Sequence, residues 1–247
     1  VIHEHGSIVL PGINNSFYRF GLKKLRNRAS AYIAVSNEMK NALHANAAID
    51  LDKIRVVYNA IDDATYFCDD EKKNTVRRDL NIPSGKTVLG FAGRLNEVKG
   101  PDLLIRAVSL LNSESRKYHL VLAGDGPQRQ MLLELAKKLN VLEDVEFLGY
   151  CNNMPEIMNA FDIGLIPSRY EAFGITAVEF MRMKIPVISS NVGGLSEIIV
   201  NEQNGLVAAD NSPEQISQCV ERLISDTSLK QRLVENAFLD SDKFSVG

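Results

Sequence analysis

The chain has 247 residues, 45% hydrophobic and 24% charged, an ordinary globular composition with ample apolar material for a core. Its formal net charge of -3 argues against general nucleic-acid binding, which leaves a basic footprint. Three widely spaced cysteines, Cys68, Cys151 and Cys219, make no C-x-x-C pair, so neither a disulfide framework nor a zinc site is expected and a reducing compartment is.

The sequence opens at Val1 rather than methionine, and an upstream portion is expected. Residues 1–2 read as the end of a strand, 16–28 as a helix, and 31–35 and 54–58 as two further strands. Within the helix, residues 17–28 carry five basic side chains, aromatics and no acid. Such a stretch reads either as a solvated or packed helix face or as one that lies on an anionic membrane surface. Sixty residues of strand and helix are too few for a complete α/β domain, so residues 1–60 are expected to be the remnant of a larger one. Residues 61–86, rich in Asp and Lys with Pro83, read as a polar connector into a second unit, 61–247.

From Thr87 onward, short apolar runs alternate with amphipathic stretches. Strands are expected at 87–92, 119–123, 145–148, 163–166, 186–189 and 206–208, each short, apolar and mostly bounded by turn-forming residues. Helices are expected at 101–111, 128–139, 175–183, 194–200, 213–224 and 228–239, with apolar residues three to four apart. Six such units imply right-handed crossovers and a doubly wound parallel sheet. Its ligand would sit at the carboxyl ends of the strands, so the loops there are the place to look for chemistry. No apolar run reaches the roughly 18 residues a membrane-spanning helix needs.

The first such loop is Gly93-Arg94-Leu95-Asn96-Glu97-Val98-Lys99-Gly100. It reads either as a diphosphate site, with two cations beside a helix start, or as a glycine-punctuated turn with two solvated basic residues. Gly124-Asp125-Gly126-Pro127 lacks the third glycine of a dinucleotide fingerprint, and plain turn geometry explains it as well as ligand approach. The stretch from Ser168 to Glu179 places Glu171 in a loop and Glu179 in the following helix. The amides of Phe173, Gly174 and Ile175 lie between them and would point at an anion there. Carboxylates there suit vicinal hydroxyls; two ordinary surface glutamates are the plainer alternative. For Gly193-Gly194, close packing is favoured over phosphate approach.

Taken together, Gly93-Arg94…Lys99-Gly100, the pair Glu171 and Glu179 within S-x-x-E-x-F-G, and Gly193-Gly194…Glu197…Asn204-Gly205 resemble family 4 (group 1) glycosyltransferases. The resemblance covers essentially residues 31–247. It implies an α/β protein of the GT-B type: a doubly wound, Rossmann-like nucleotide-sugar-binding domain with a partial second Rossmann-like domain. It also implies that Arg94 and Lys99 bind the donor diphosphate, doing the work of a metal ion, so that no metal is expected. Glu179 would hold the ribose hydroxyls, and Glu171 those of the transferred sugar. Gly93, Phe173, Gly174 and Ile175 would line the donor, and Gly149 and Tyr150 the nucleobase. His5 resembles the histidine that meets the donor sugar or its phosphate, with His3 as its rival. Asn59-Ala60-Ile61-Asp62 departs from the family's N-G-I-D at Ala60. A glycine-rich loop on the acceptor side is missing, and the chain stops where the family continues into a returning helix, so both ends are expected to be trimmed.

The implied activity is transfer of a sugar from a UDP- or GDP-sugar to a hydroxyl acceptor, a glycan or lipid-linked one, with retention of configuration. The expected setting is cell-surface polysaccharide or glycolipid synthesis on the cytoplasmic side, with peripheral membrane contact through 17–28. A fragment that binds nucleotide-sugar without turnover and a GT-B nucleotide-sugar epimerase are the alternatives. A nicotinamide oxidoreductase is disfavoured, because no strand leads into G-x-G-x-x-G.

Overall fold

The computed structural model describes residues 2–4, 20–22, 24, 28–113 and 115–246. Two parallel sheets organise them. The smaller holds β1 Ile2–Glu4, β2 Tyr32–Ala34 and β3 Ile54–Val56 in the order β1-β2-β3. Between β2 and β3 runs α1 Asn37–Ala47, which the sequence reading passed over. Ser36 caps it, accepting from the Met39 amide at 3.1 Å. Met39, Ala42, Leu43 and Ala47 are buried at helical spacing and pack with Tyr32, Ile49 and Ile54.

The larger sheet consists of β4 Thr87–Ala92, β5 Tyr118–Ala123, β6 Val145–Gly149, β7 Ile163–Ile166, β8 Val187–Ser190 and β9 Leu206–Ala208. Their order is β6-β5-β4-β7-β8-β9, with every neighbouring pair parallel. This is the doubly wound arrangement expected, and strand positions match within one or two residues. Every residue of β5 is buried because both faces of the sheet are covered. Alternation divides them: Leu120 and Leu122 enter one apolar cluster, Val121 and Ala123 the other.

On the first face pack α3 Pro101–Leu111, α4 Arg129–Lys138 and α8 Pro213–Ser225, through Leu104, Ile105, Val108, Leu132, Ile216 and Val220. On the second lies α6 Ile175–Arg182, whose Ala177, Val178, Phe180 and Met181 are buried against Phe161 and Val187. The helix α9 Thr227–Ser241 contributes Leu229 and Leu233 to the first cluster and Ala237 to the second. The short helices α5 Met154–Met158 and α7 Leu195–Ile198 complete the windings.

The segment 61–86 is not only a connector. It contains α2 Asp70–Asp79, which Asp69 caps by accepting from the amides of Glu71 and Lys72. Two of its charges are spent on tertiary contacts. Lys73 and Arg77 both reach Asp162, at 2.7 and 2.6 Å, while Val76 is buried. A mostly polar helix anchored this way carries little apolar periodicity, which is why composition concealed it.

Candidate functional site

Strands β4 and β7 are neighbours in the sheet, yet the chain leaves β4 towards β5 and β7 towards β8, in opposite directions. A crevice opens at such a reversal, beyond the carboxyl ends of the strands. The two loops that face it carry Gly93–Gly100 and Ser168–Gly174.

In the first loop, the Gly93 amide donates to the Ala123 carbonyl at 3.0 Å, keeping the chain beside β5. Arg94 is exposed and lines a cavity of about 370 Å³ with Gly93, Gly124, Asp125, Tyr150 and Cys151. Asn96 caps the turn Glu97–Lys99 by accepting from the Lys99 amide at 3.0 Å. Lys99 is thereby aimed across the crevice. Its Nζ lies 2.5 Å from Glu171 Oε2, which also accepts from Ser168 Oγ at 3.2 Å.

The second loop is held by a residue that the sequence reading left unassigned. Arg169 grips both oxygens of Asp102, at 2.9 and 2.8 Å, and donates to the Glu97 carbonyl at 2.7 Å, while its own amide donates to Val98. It thus ties the Glu171 loop to the Lys99 turn. An aspartate in the first turn of α3 was the only local hint. The glycine pair is closely packed, in line with the favoured reading. A Cβ on Gly193 would stand 2.0 Å from the Glu171 carbonyl oxygen, and one on Gly194 would stand 2.5 Å from that of Ala172.

Gly174, at φ 105°, starts α6 without a side-chain cap, and Ile175 follows as its first residue. The first-turn amides there have no partner within the helix. The buried Phe173 ring packs 5.8 Å from Tyr58 and 5.6 Å from Phe244. Further along α6, Glu179 Oε1 accepts from the Tyr66 hydroxyl at 2.6 Å. Burial raises the Glu179 carboxyl above its ordinary range, and Tyr66 only partly offsets this. Glu171 and Glu179 therefore take separate partners. Thr176 Oγ1 meets the Ala92 carbonyl at 3.5 Å, setting the start of α6 beside the end of β4.

Gly149 ends β6 at φ 71° and bridges to Gly124, and Tyr150 beside it is 80% exposed. Ala60 takes no positive φ, so the missing glycine of the N-G-I-D pattern leaves no strain. His5 lies outside the described residues; His3 has its backbone in β1. In the basic stretch 17–28, Phe20 is exposed and Lys24 Nζ sits 4.7 Å from its ring. No helix among the described residues is long and apolar enough to cross a membrane.

A further link spans the two sheets. Glu197 accepts from the amides of Asn37 and Glu38 at 3.0 and 2.9 Å, and from Tyr58 at 3.0 Å. It serves as a second cap for α1.

Residues 72–240 match the family described as Glycosyl transferases group 1, and residues 1–65 match Glycosyltransferase Family 4. An uncharacterized glycosyltransferase of Methanocaldococcus jannaschii is 35% identical over 212 residues, covering 84% of this chain and 54% of its own. A D-inositol 3-phosphate glycosyltransferase of Stackebrandtia nassauensis is 31% identical over 209 residues, covering 79% and 46%. Anabaena HepE, solved in complex with UDP-glucose, superposes with a TM-score of 0.90 at 25% identity, covering 99% of this chain and 68% of HepE. The chain thus spans about half the length of these two sequence relatives, and its fold is of the GT-B type.

Proposed function

This chain belongs to the group 1 glycosyl transferases, and on that premise we propose that it binds a UDP- or GDP-sugar in the crevice between β4 and β7. The observation that carries this reading is the meeting of Lys99 with Glu171 at 2.5 Å, a cation and an acid from two loops at the topological switch point. Arg94 and Lys99 would take the diphosphate, with the start of α6 adding its dipole. Glu171 would take hydroxyls of the sugar, Glu179 those of the ribose, and Gly149 and Tyr150 the base. HepE was solved with UDP and with UDP-glucose, which supports a nucleotide-sugar donor here.

Transfer itself is proposed for the whole protein. The bond from the sugar's anomeric carbon to phosphate breaks and one to the acceptor oxygen forms on the same face, retaining configuration. The acceptor's proton passes to the departing phosphate oxygen. Arg94 and Lys99 offset the charge that develops on the diphosphate, with no metal ion required. A glycan or lipid-linked hydroxyl met on the cytoplasmic side completes the reading.

A thermal-shift panel of nucleoside diphosphates tests it, since a ligand that binds only the native state raises its stability. UDP or GDP should raise the Tm, and Lys99→Ala should abolish the rise. An undiminished shift in that variant would remove the diphosphate site. Product analysis with donor alone and with acceptor separates transfer from epimerisation, which needs no acceptor.

A further inference from the structure

We propose that Tyr66 is a positioning residue for the donor's ribose, acting through its hydrogen bond to Glu179. This rests on the reading of Glu179 as the ribose acceptor, and it adds a side chain from an otherwise unassigned segment to that site.

Tyr66 and Glu179 are 113 residues apart in sequence, yet the segment that carries Tyr66 is docked onto α6 by two parallel contacts. Asp63 pairs with Arg182 at 2.7 Å, and the Tyr66 hydroxyl donates to Glu179 Oε1 at 2.6 Å. Arg182 follows Glu179 by three residues, so both contacts fall on neighbouring turns of one helix face. The segment is itself fixed. The Thr65 amide and hydroxyl both bond Asp62, and Ile61 pairs with the backbone of Phe244 and Val246. The phenol is therefore delivered to the carboxylate by a braced loop.

The chemical consequence lies in what the carboxylate has left. A phenol donates a single hydrogen, so it occupies one lone-pair direction of Oε1. Glu179 Oε2 accepts no hydrogen bond from a described residue, and the residue is only partly buried. A ribose presents two adjacent hydroxyl donors, and a carboxylate locked in one rotamer meets them with less ordering cost than a free one. Tyr66 also opposes protonation of the acid: burial pulls the Glu179 carboxyl up, and the hydrogen bond pulls it partly back. Burial and Tyr66 are the influences that act on its titration. An ionised carboxylate accepts from both hydroxyls; a protonated one gives up part of that capacity.

Tyr66→Phe deletes the hydroxyl and keeps the ring that packs beside the second apolar cluster. Calorimetric titration with UDP and with 2′,3′-dideoxy-UDP then separates positioning from packing. Tyr66→Phe should weaken UDP by roughly tenfold, the scale of one hydrogen bond to a charged group, and leave the dideoxy nucleotide unchanged. The loss of UDP affinity on acidification should also begin at higher pH in the variant. In a Glu179→Ala background, Tyr66→Phe should add nothing. Equal weakening of both nucleotides, or of neither, overturns the proposal. If Glu179→Ala leaves the preference for UDP over its dideoxy analogue intact, the ribose assignment of Glu179 itself falls, a result distinct from failure of Tyr66→Phe alone.

Discussion

Glu197 and Asn37, 160 residues apart, are joined twice: one carboxylate oxygen accepts from the Asn37 amide at 3.0 Å and from its side-chain amide at 2.8 Å. The acid of one sheet thereby caps a helix of the other, reinforced by the Ser36 hydroxyl, which donates to the Ala172 carbonyl at 2.7 Å. Burial raises the Glu197 carboxyl, but the amides of Asn37 and Glu38 with the Asn37 and Tyr58 side chains outweigh it and hold it below its ordinary range.

Glu197→Ala should cost about 2 kcal/mol, on the scale of hydrogen bonds to a charged group. Differential scanning calorimetry would register a Tm fall of several degrees. The folded carboxyl titrates below the unfolded one, so its contribution is fully present above the unfolded value of roughly 4.3. It fades as pH falls through the lower folded value. The variant's deficit should accordingly shrink towards pH 3, and a deficit that does not change with pH would refute the cap.

Arg169→Lys tests whether the Glu171 loop is positioned by the Lys99 turn. Lysine keeps the charge but not the planar fork that spans both Asp102 oxygens. The pair is partly exposed, so stability should change by no more than about 1 kcal/mol. Nucleoside diphosphate affinity should fall several-fold, because Lys99 and Glu171 lose their mutual register. Unchanged affinity in titration calorimetry would show that the two loops hold their places without the arginine.

How much of this was legible beforehand follows from the range over which each signal acts. The sheet was readable because buried parallel strands repeat locally: β5 and β7 are buried throughout and, His119 aside, carry no charged group, and α3 carries its stripe within eleven residues. At Gly193 and Gly194 packing was the favoured reading, since two in a row at a strand–helix junction permit a close neighbour, and the close backbone contacts fit it. By contrast, α2 is a polar helix and α1 carries only a short apolar stripe, and their caps, Asp69 and Ser36, went unweighed. The pairings of Arg169, Glu197 and Tyr66 were invisible for another reason. Their partners stand 67, 160 and 113 residues away, and no periodicity reports such pairings.

Gly194→Ala should damage the crevice from behind. The new methyl would stand 2.5 Å from the Ala172 carbonyl oxygen and 2.6 Å from Phe173 Cα, both backbone atoms that cannot swing aside. Overpacking of this kind costs about 1–3 kcal/mol. The loop that must yield carries Glu171, so donor affinity should drop with stability. A variant as stable as the parent, with unaltered affinity, would mean that the loop has slack.

His119 supplies the pH test of the core. It sits in β5, 4% exposed, and neither ring nitrogen has a hydrogen-bond partner among the described residues. Burial lowers its pKa below the ordinary 6.5; Asp144 opposes this and Lys86 adds to it. Between the folded and unfolded values the unfolded chain binds the extra proton, so stability rises with pH there. The loss should set in as pH falls through roughly 6.5 and continue until the folded ring itself titrates. His119→Leu fills much of the same space without a titratable group. Urea unfolding of the two proteins should therefore diverge in the variant's favour between pH 7 and pH 5, by at most about 2 kcal/mol, the linkage limit for one histidine that titrates at roughly 6.5 when unfolded. Parallel stability curves across that range would mean that the histidine reaches water or a partner on protonation.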